Sequence, residues 1–247
     1  MEAGWSAVSY LTERERLTVS TMLSQMVRPI QWLLTVAEGD ARSILCVDLA
    51  QELEACKPDL VQTSVRWQDT PPDSDLVHGE HREYYQQWVL ADERGVAAGI
   101  RFLGLPTGYQ FATLLNAMID VSRSRVLVEP KTYLWCQRLT SPVDLLVMVT
   151  PTCPHSPRMV TLAERLALAN REQIQTVIVD ASTHPAWAED LGVREVPWLR
   201  ASSQAVLGPG LVVLGTVSER CLVEQLRAWQ EYKLPERRAG GADANFR

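Results

Sequence analysis

One order of elements occurs twice along this chain, and a doubled plan restricts the fold more than any single motif does. Apolar runs, polar turns and helical periodicity predict a strand over 30–36, a helix over 42–56 and a strand over 60–67. A polar stretch, 68–83, carries Pro71 and Pro72 and reads as loop or a poorly formed helix. Two further strands are predicted at 84–90 and 96–102, joined by residues 91–95, and then a helix at 109–121. The second half repeats the plan with strand 144–150, helix 153–170, strand 174–180, a short helix 184–191, strands 197–201 and 206–214, and a closing helix 218–232. A parallel strand–helix–strand start, an antiparallel hairpin and a last helix make a mixed four-stranded sheet flanked by helices. The expectation is an α/β chain of two such units, 1–122 and 142–233, with a connector at 123–141. A helix at 12–27 precedes the first strand, and Tyr133, Trp135 and Cys136 of the connector are candidates for packing between the units. The Gly-, Ala- and charge-rich tail, 234–247, is expected to be disordered.

The second unit opens on the stretch with the most chemical content, Thr150-Pro151-Thr152-Cys153-Pro154-His155-Ser156-Pro157. It delivers a cysteine from the end of an apolar strand to the first turn of a helix. The first helical N–H groups have no intrahelical partner and carry the positive end of the helix dipole, so a thiolate placed there is stabilised. Pro154 suits the first helical position, where a missing N–H costs nothing. The N–H groups of His155 and Ser156 then remain free to face the sulfur. Cys153 is the candidate nucleophile. His155 either stabilises the thiolate when protonated or is an exposed polar residue of the first turn. Ser156 stands where dithiol redox motifs carry their second cysteine. It can donate to the thiolate but cannot form a disulfide with it.

The rest of the composition narrows the field. A net charge of −6 over 247 residues argues against nonspecific nucleic-acid binding. No apolar run approaches the roughly 18 residues of a membrane helix, and residues 1–12 show no secretory signal. The five cysteines, Cys46, Cys56, Cys136, Cys153 and Cys221, are odd in number and scattered, as expected for reduced thiols in the cytoplasm. There is no CxxC pair for zinc, so no metal site is expected, and no bound cofactor is expected either.

The run 147–160 (VMVTPTCPHSPRMV) and the later Val193-Arg194-Glu195-Val196-Pro197 resemble the second unit of the tandem-thioredoxin, glutaredoxin-like protein disulfide oxidoreductases. The run 99–111 (GIRFLGLPTGYQF) resembles the corresponding run of those proteins. It is also similar to the N-terminal domain of the flavoprotein subunit of alkyl hydroperoxide reductase. The resemblance implies two thioredoxin-like units and thiol–disulfide chemistry. It also implies that Pro197 is the cis-proline that exposes backbone groups of Val196 beside the active cysteine. Pro154, Val196 and Pro197 thus become candidate substrate-binding residues, with Trp198 packing just beyond them.

The departures from that pattern matter as much. The first unit has Ala37-Glu38-Gly39-Asp40 where a CxxC is expected, and Arg82-Glu83-Tyr84 where the groove proline is expected. The second unit keeps one cysteine of two. The resulting expectation is a monothiol oxidoreductase in which an external thiol, with glutathione as possible co-substrate, resolves a mixed disulfide at Cys153. Its partners would be protein thiols or disulfides, including a peroxiredoxin or a thioredoxin-reductase-like protein. The alternative is a redox-inactive interaction module that uses the thioredoxin groove to hold a protein. An iron–sulfur cluster shared through Cys153 and glutathione ranks last, because the Cys-Gly-Phe-Ser sequence of such glutaredoxins is absent. Cys46, Cys56, Cys136 and Cys221 are expected to be packing thiols. The run Asp180-Ala181-Ser182-Thr183 either meets glutathione or caps a short helix.

Overall fold

A computed structural model describes residues 10–68, 86–204, 206 and 210–231. The chain runs α1 (Glu13–Leu23), β1 (Ile30–Ala37), α2 (Ala41–Cys56), β2 (Val61–Gln68), β3 (Gln87–Asp92), β4 (Ala97–Leu103), α3 (Tyr109–Ser122) and α4 (Pro130–Gln137). It continues with β5 (Val143–Val149), α5 (Ser156–Ala169), β6 (Ile174–Asp180), α6 (Pro185–Asp190), β7 (Trp198–Ser202), β8 (Leu211–Leu214) and α7 (Glu219–Glu231). The doubled order is therefore present. The tail beyond 231 and the segment 69–85 lie outside the described residues.

All eight strands form one sheet, in the order β2-β1-β3-β4-β6-β5-β7-β8. Within each half the central strand pairs in parallel with the strand after its helix and antiparallel with the third strand, which pairs antiparallel with the fourth. The halves join where β4 pairs in parallel with β6, from Ile100↔Thr176 to Leu103↔Val179. Each half is thus a mixed four-stranded unit, and the two are fused edge to edge. Following these senses across the sheet, β1 and β5 point the same way. The strand–helix junctions at their C-terminal ends consequently open on one edge of the molecule, where α/β sheets present their sites.

The main core lies against one face of the sheet. It is anchored by Trp32, Trp88 and Phe102 in the first half, with Trp32 edge-on to Trp88 at 5.7 Å. Helices α3 and α5 pack on each other across the junction of the halves. A smaller cluster of Leu103, Met148, Val179 and Trp198 is backed by Trp187, Leu191 and Val193 on the way to Val196. Trp198 is buried, as expected of a packing residue.

Two expectations need correction. The first helix ends at Leu23 rather than Val27. The Val27 and Arg28 N–H groups both donate to the Ser122 hydroxyl, at 2.8 and 2.9 Å, and that hydroxyl donates to the Arg28 carbonyl. This tie to the end of α3 satisfies backbone groups that would otherwise be left orphaned where the helix unwinds. In the connector, Cys136 is buried and Trp135 packs on the core, but Tyr133 is exposed, and α4 lies against α5 and α7 of the second half.

Candidate functional site

β5 ends at Val149, and the chain turns through Thr150 to His155 before α5 begins at Ser156. The helix therefore starts later than the sequence suggests. Pro154 lies in the turn, His155 is the N-cap, and it is Pro157 that occupies the first helical turn. The reason is local: the Cys153 N–H closes a turn onto the Thr150 carbonyl at 3.2 Å, and the Arg158 N–H bonds back to the His155 carbonyl at 3.3 Å. The proline that the N-terminal turn of α5 tolerates is the second one, since its missing N–H is among the orphans there.

Cys153 is partly exposed at the head of this turn. Its sulfur lies 3.5 Å from the carbonyl oxygen of Val196, and the Val196–Pro197 peptide bond is cis. The neutral thiol donates weakly to that carbonyl, a contact that is given up on ionisation. Partial burial also works against the anion. The Ser156 hydroxyl and the backbone N–H groups of His155 and Ser156 outweigh it and hold the Cys153 pKa below the ordinary thiol value. Ser156 is fully buried, and its hydroxyl makes no hydrogen bond of good geometry among the described residues, which leaves it available to the Cys153 sulfur as negative charge develops there. Pro197 is buried behind the groove, and its carbonyl accepts from the Gly215 N–H at 2.9 Å.

The structure thus gathers Cys153, Ser156, Val196 and Pro197. His155 and Pro154 are both exposed, and His155 contributes to the sulfur through its backbone. The Asp180 carboxylate accepts from the Ser182 N–H and hydroxyl, and the Asp180 carbonyl accepts from Thr183. That pattern is a local turn before α6, whose N-cap is His184 with no side-chain cap bond, so the run folds on itself rather than capping the helix. Of the other cysteines, Cys46 and Cys136 are fully buried, and burial pushes both thiols up to about 12. The Cys221 sulfur accepts from the Gln225 amide at 3.2 Å.

The first half repeats the site without sulfur. Its junction carries Asp40, whose carboxylate accepts from the Ser43 N–H at 3.0 Å, the Ser43 hydroxyl at 2.9 Å and the Gln86 side-chain amide. The triplet where the sequence places the missing groove proline, Arg82 to Tyr84, lies outside the described residues. Hydrogen bonding gives the corresponding place to Gln86. It stands directly before β3 as Pro197 stands before β7, and its carbonyl accepts from the Gly104 N–H at 3.1 Å. Sequence reading missed Gln86, since nothing marks a glutamine as the counterpart of a proline. It also missed a contact between the halves: the Tyr109 N–H donates to the Pro151 carbonyl at 3.0 Å. The Gly108 that permits it is visible in the sequence only as a loop residue.

A cysteine at the head of a helix, faced by a cis-proline across a mixed sheet and built on a doubled unit, defines the tandem thioredoxin-like fold. Solved structures share it. The alkylhydroperoxide reductase AhpF of Enterococcus faecalis V583 is 22% identical, covers 88% of this chain and 99% of that one, and superposes with a TM-score of 0.73. A protein disulfide oxidoreductase from Aeropyrum pernix K1 is 21% identical over 89% of this chain and 94% of that one, also with a TM-score of 0.73. No family model and no curated protein matches the chain. Among the described residues no helix is long and apolar enough to cross a membrane.

Proposed function

We propose that this chain is a thiol–disulfide oxidoreductase of monothiol type that acts through Cys153. The observation that carries the reading is the placement of the Cys153 sulfur 3.5 Å from the Val196 carbonyl at the cis-proline, with the buried Ser156 hydroxyl below it. The Cys153 thiolate attacks one sulfur of a client disulfide; that S–S bond breaks and the second client sulfur leaves as a thiolate. Val196 offers its backbone to an extended client segment, and Pro197 closes the wall behind it. Ser156 has no sulfur with which to expel the client. A second thiolate, from glutathione or from the client, attacks the mixed disulfide and returns Cys153 as a thiolate. Glutathione enters as a co-substrate, and partners are protein thiols or disulfides in a reducing compartment such as the cytoplasm, a peroxiredoxin or a thioredoxin-reductase-like protein among them. The test is glutathione-coupled reduction of a mixed disulfide, comparing the wild type with Cys153→Ala. Equal activity sinks the proposal.

A second reading is favoured by the first half, where Asp40 and Gln86 bond to each other in place of a thiol and a groove proline. On that reading the chain is a redox-inactive interaction module that holds a protein in the second half's groove. An ordinary thiol titration at Cys153 would favour it.

A further inference from the structure

The first half meets the cysteine loop at Gly108, and the geometry there is tight. Gly104 to Gly108 leads from the end of β4 into α3, and Gly108 adopts φ 57° and ψ −130°, a conformation that side chains with a Cβ rarely adopt. A Cβ built on Gly108 would stand 2.3 Å from the Pro151 carbonyl oxygen and 3.0 Å from its carbon. The next residue donates its backbone N–H to the same oxygen, at 3.0 Å. Pro151 is two residues before Cys153, and the Cys153 N–H is bonded to the Thr150 carbonyl on the other side of it. The loop that carries the sulfur is therefore pinned from outside its own unit.

We infer that the first half is a positioning element for the thiol of the second, acting through Gly108 and the Tyr109 N–H on the Pro151 peptide. Ser156 and the N–H groups that favour the thiolate belong to α5 and its cap. The sulfur, by contrast, hangs from the loop. Holding the loop against α3 fixes the distance between the two. This assigns a purpose to a half that has no thiol at its own junction, and it makes Gly108 and the Tyr109 N–H positioning groups rather than catalytic ones. The inference rests on Cys153 being the reacting thiol.

The test measures the rate of Cys153 alkylation by iodoacetamide across pH in the full chain, alongside thermal melting. Gly108→Ala forces the Pro151 carbonyl back by about 0.7 Å to reach the 3.0 Å that real Cβ contacts need. Tyr109→Pro removes the N–H at the first helical position, which proline otherwise tolerates. Gly39→Ala is the control: Gly39 has φ +75° with nothing within 4 Å of a built Cβ, so a side chain there strains a positive-φ site of the first half without touching the loop. The expected result is a titration midpoint below that of a free thiol in the wild type and in Gly39→Ala. Both loop variants should move it upward and slow alkylation severalfold at neutral pH. If Gly108→Ala does not fold, Tyr109→Pro decides. An acidic midpoint that both folded loop variants leave unchanged overturns the inference, as does an equal shift in Gly39→Ala. A wild-type midpoint at the free-thiol value overturns the reading of Cys153 itself.

Discussion

Asp40 occupies in the first half the place that Cys153 occupies in the second, so the run standing for a CxxC is 40–43 rather than the 37–40 expected from the sequence. The central strands start in equivalent register, Ile30 opposite Val61 and Val143 opposite Ile174, and each of the two residues follows that start by ten positions. Ser43 and Ser156 follow three residues later, and both are fully buried. Before the third strand of each half, Gln86 and Pro197 accept from Gly104 and Gly215 respectively. One framework thus holds a carboxylate in one copy and a thiol in the other.

Removing the carboxylate should cost stability without touching thiol reactivity. Asp40 caps α2 and satisfies the buried Gln86 amide. Asp40→Ala is expected to lose about 1–3 kcal/mol, combining a lost cap with an unsatisfied buried donor. Denaturant melts check the loss, and Cys153 alkylation should stay at the wild-type rate. Burial opposes the Asp40 anion, but the bonds from Ser43 and Gln86 prevail and depress its pKa below 3.8. A depressed carboxylate contributes stability above its unfolded pKa and loses it as pH falls through the folded value. The gap between wild type and Asp40→Asn should therefore close below pH 3.8.

Restoring a second sulfur at the buried serine tests the monothiol character directly. Ser156→Cys is expected to form a disulfide with Cys153 under mild oxidation, so that thiol counting finds two fewer free thiols than in the reduced form. The variant should also release a bound client without added glutathione. Both thiols remaining free after oxidation would contradict the parallel drawn between Ser156 and a resolving cysteine.

Ser156→Ala keeps the volume nearly unchanged and removes the side-chain donor facing the sulfur. The thiolate should become harder to form, so the alkylation midpoint moves up and the rate at neutral pH falls severalfold, while the rate at high pH is unchanged. A uniform fall at all pH values would instead mean lost access.

Glu164 on α5 is buried, and one of its carboxyl oxygens has no partner among the described residues. Burial, reinforced by the nearby Asp120, raises its pKa well above the ordinary carboxylate value. A raised pKa contributes stability below the unfolded value that is lost as pH climbs toward the folded one, at up to about 1.4 kcal/mol per pH unit. Glu164→Gln is expected to melt higher than the wild type at neutral pH, with the difference shrinking toward pH 4.5. Melting curves at several pH values check the convergence.

Much of this was legible in the sequence because it is local. The element order follows from periodicity and turn residues, and Cys153, Ser156 and the Val196-Pro197 pair stand out against a known pattern. Two kinds of feature left no mark. The β4–β6 ladder joins strands from different halves, backed by α3 against α5, and parallel partners carry no turn signature between them. Gln86 and Gly108 take their roles from what they face across the fold. The late start of α5 came from Pro154 and Pro157 offering the helix two places to begin, with the Thr150–Cys153 turn deciding between them.

The ladder between β4 and β6 also removes a freedom that two fused domains ordinarily keep. Linked domains hinge, and in a redox carrier a hinge can ferry one sulfur to another. Here the halves share hydrogen bonds and one hydrophobic interior, so the described elements of the first half are held in register with the second rather than hinged to it. Cys46, its fully buried cysteine, is locked where it stands. On the proposed monothiol reading, a client held at Cys153 sits on a rigid anvil, and its release waits on its own second thiol or on a thiol from solution rather than on a motion of the described first half.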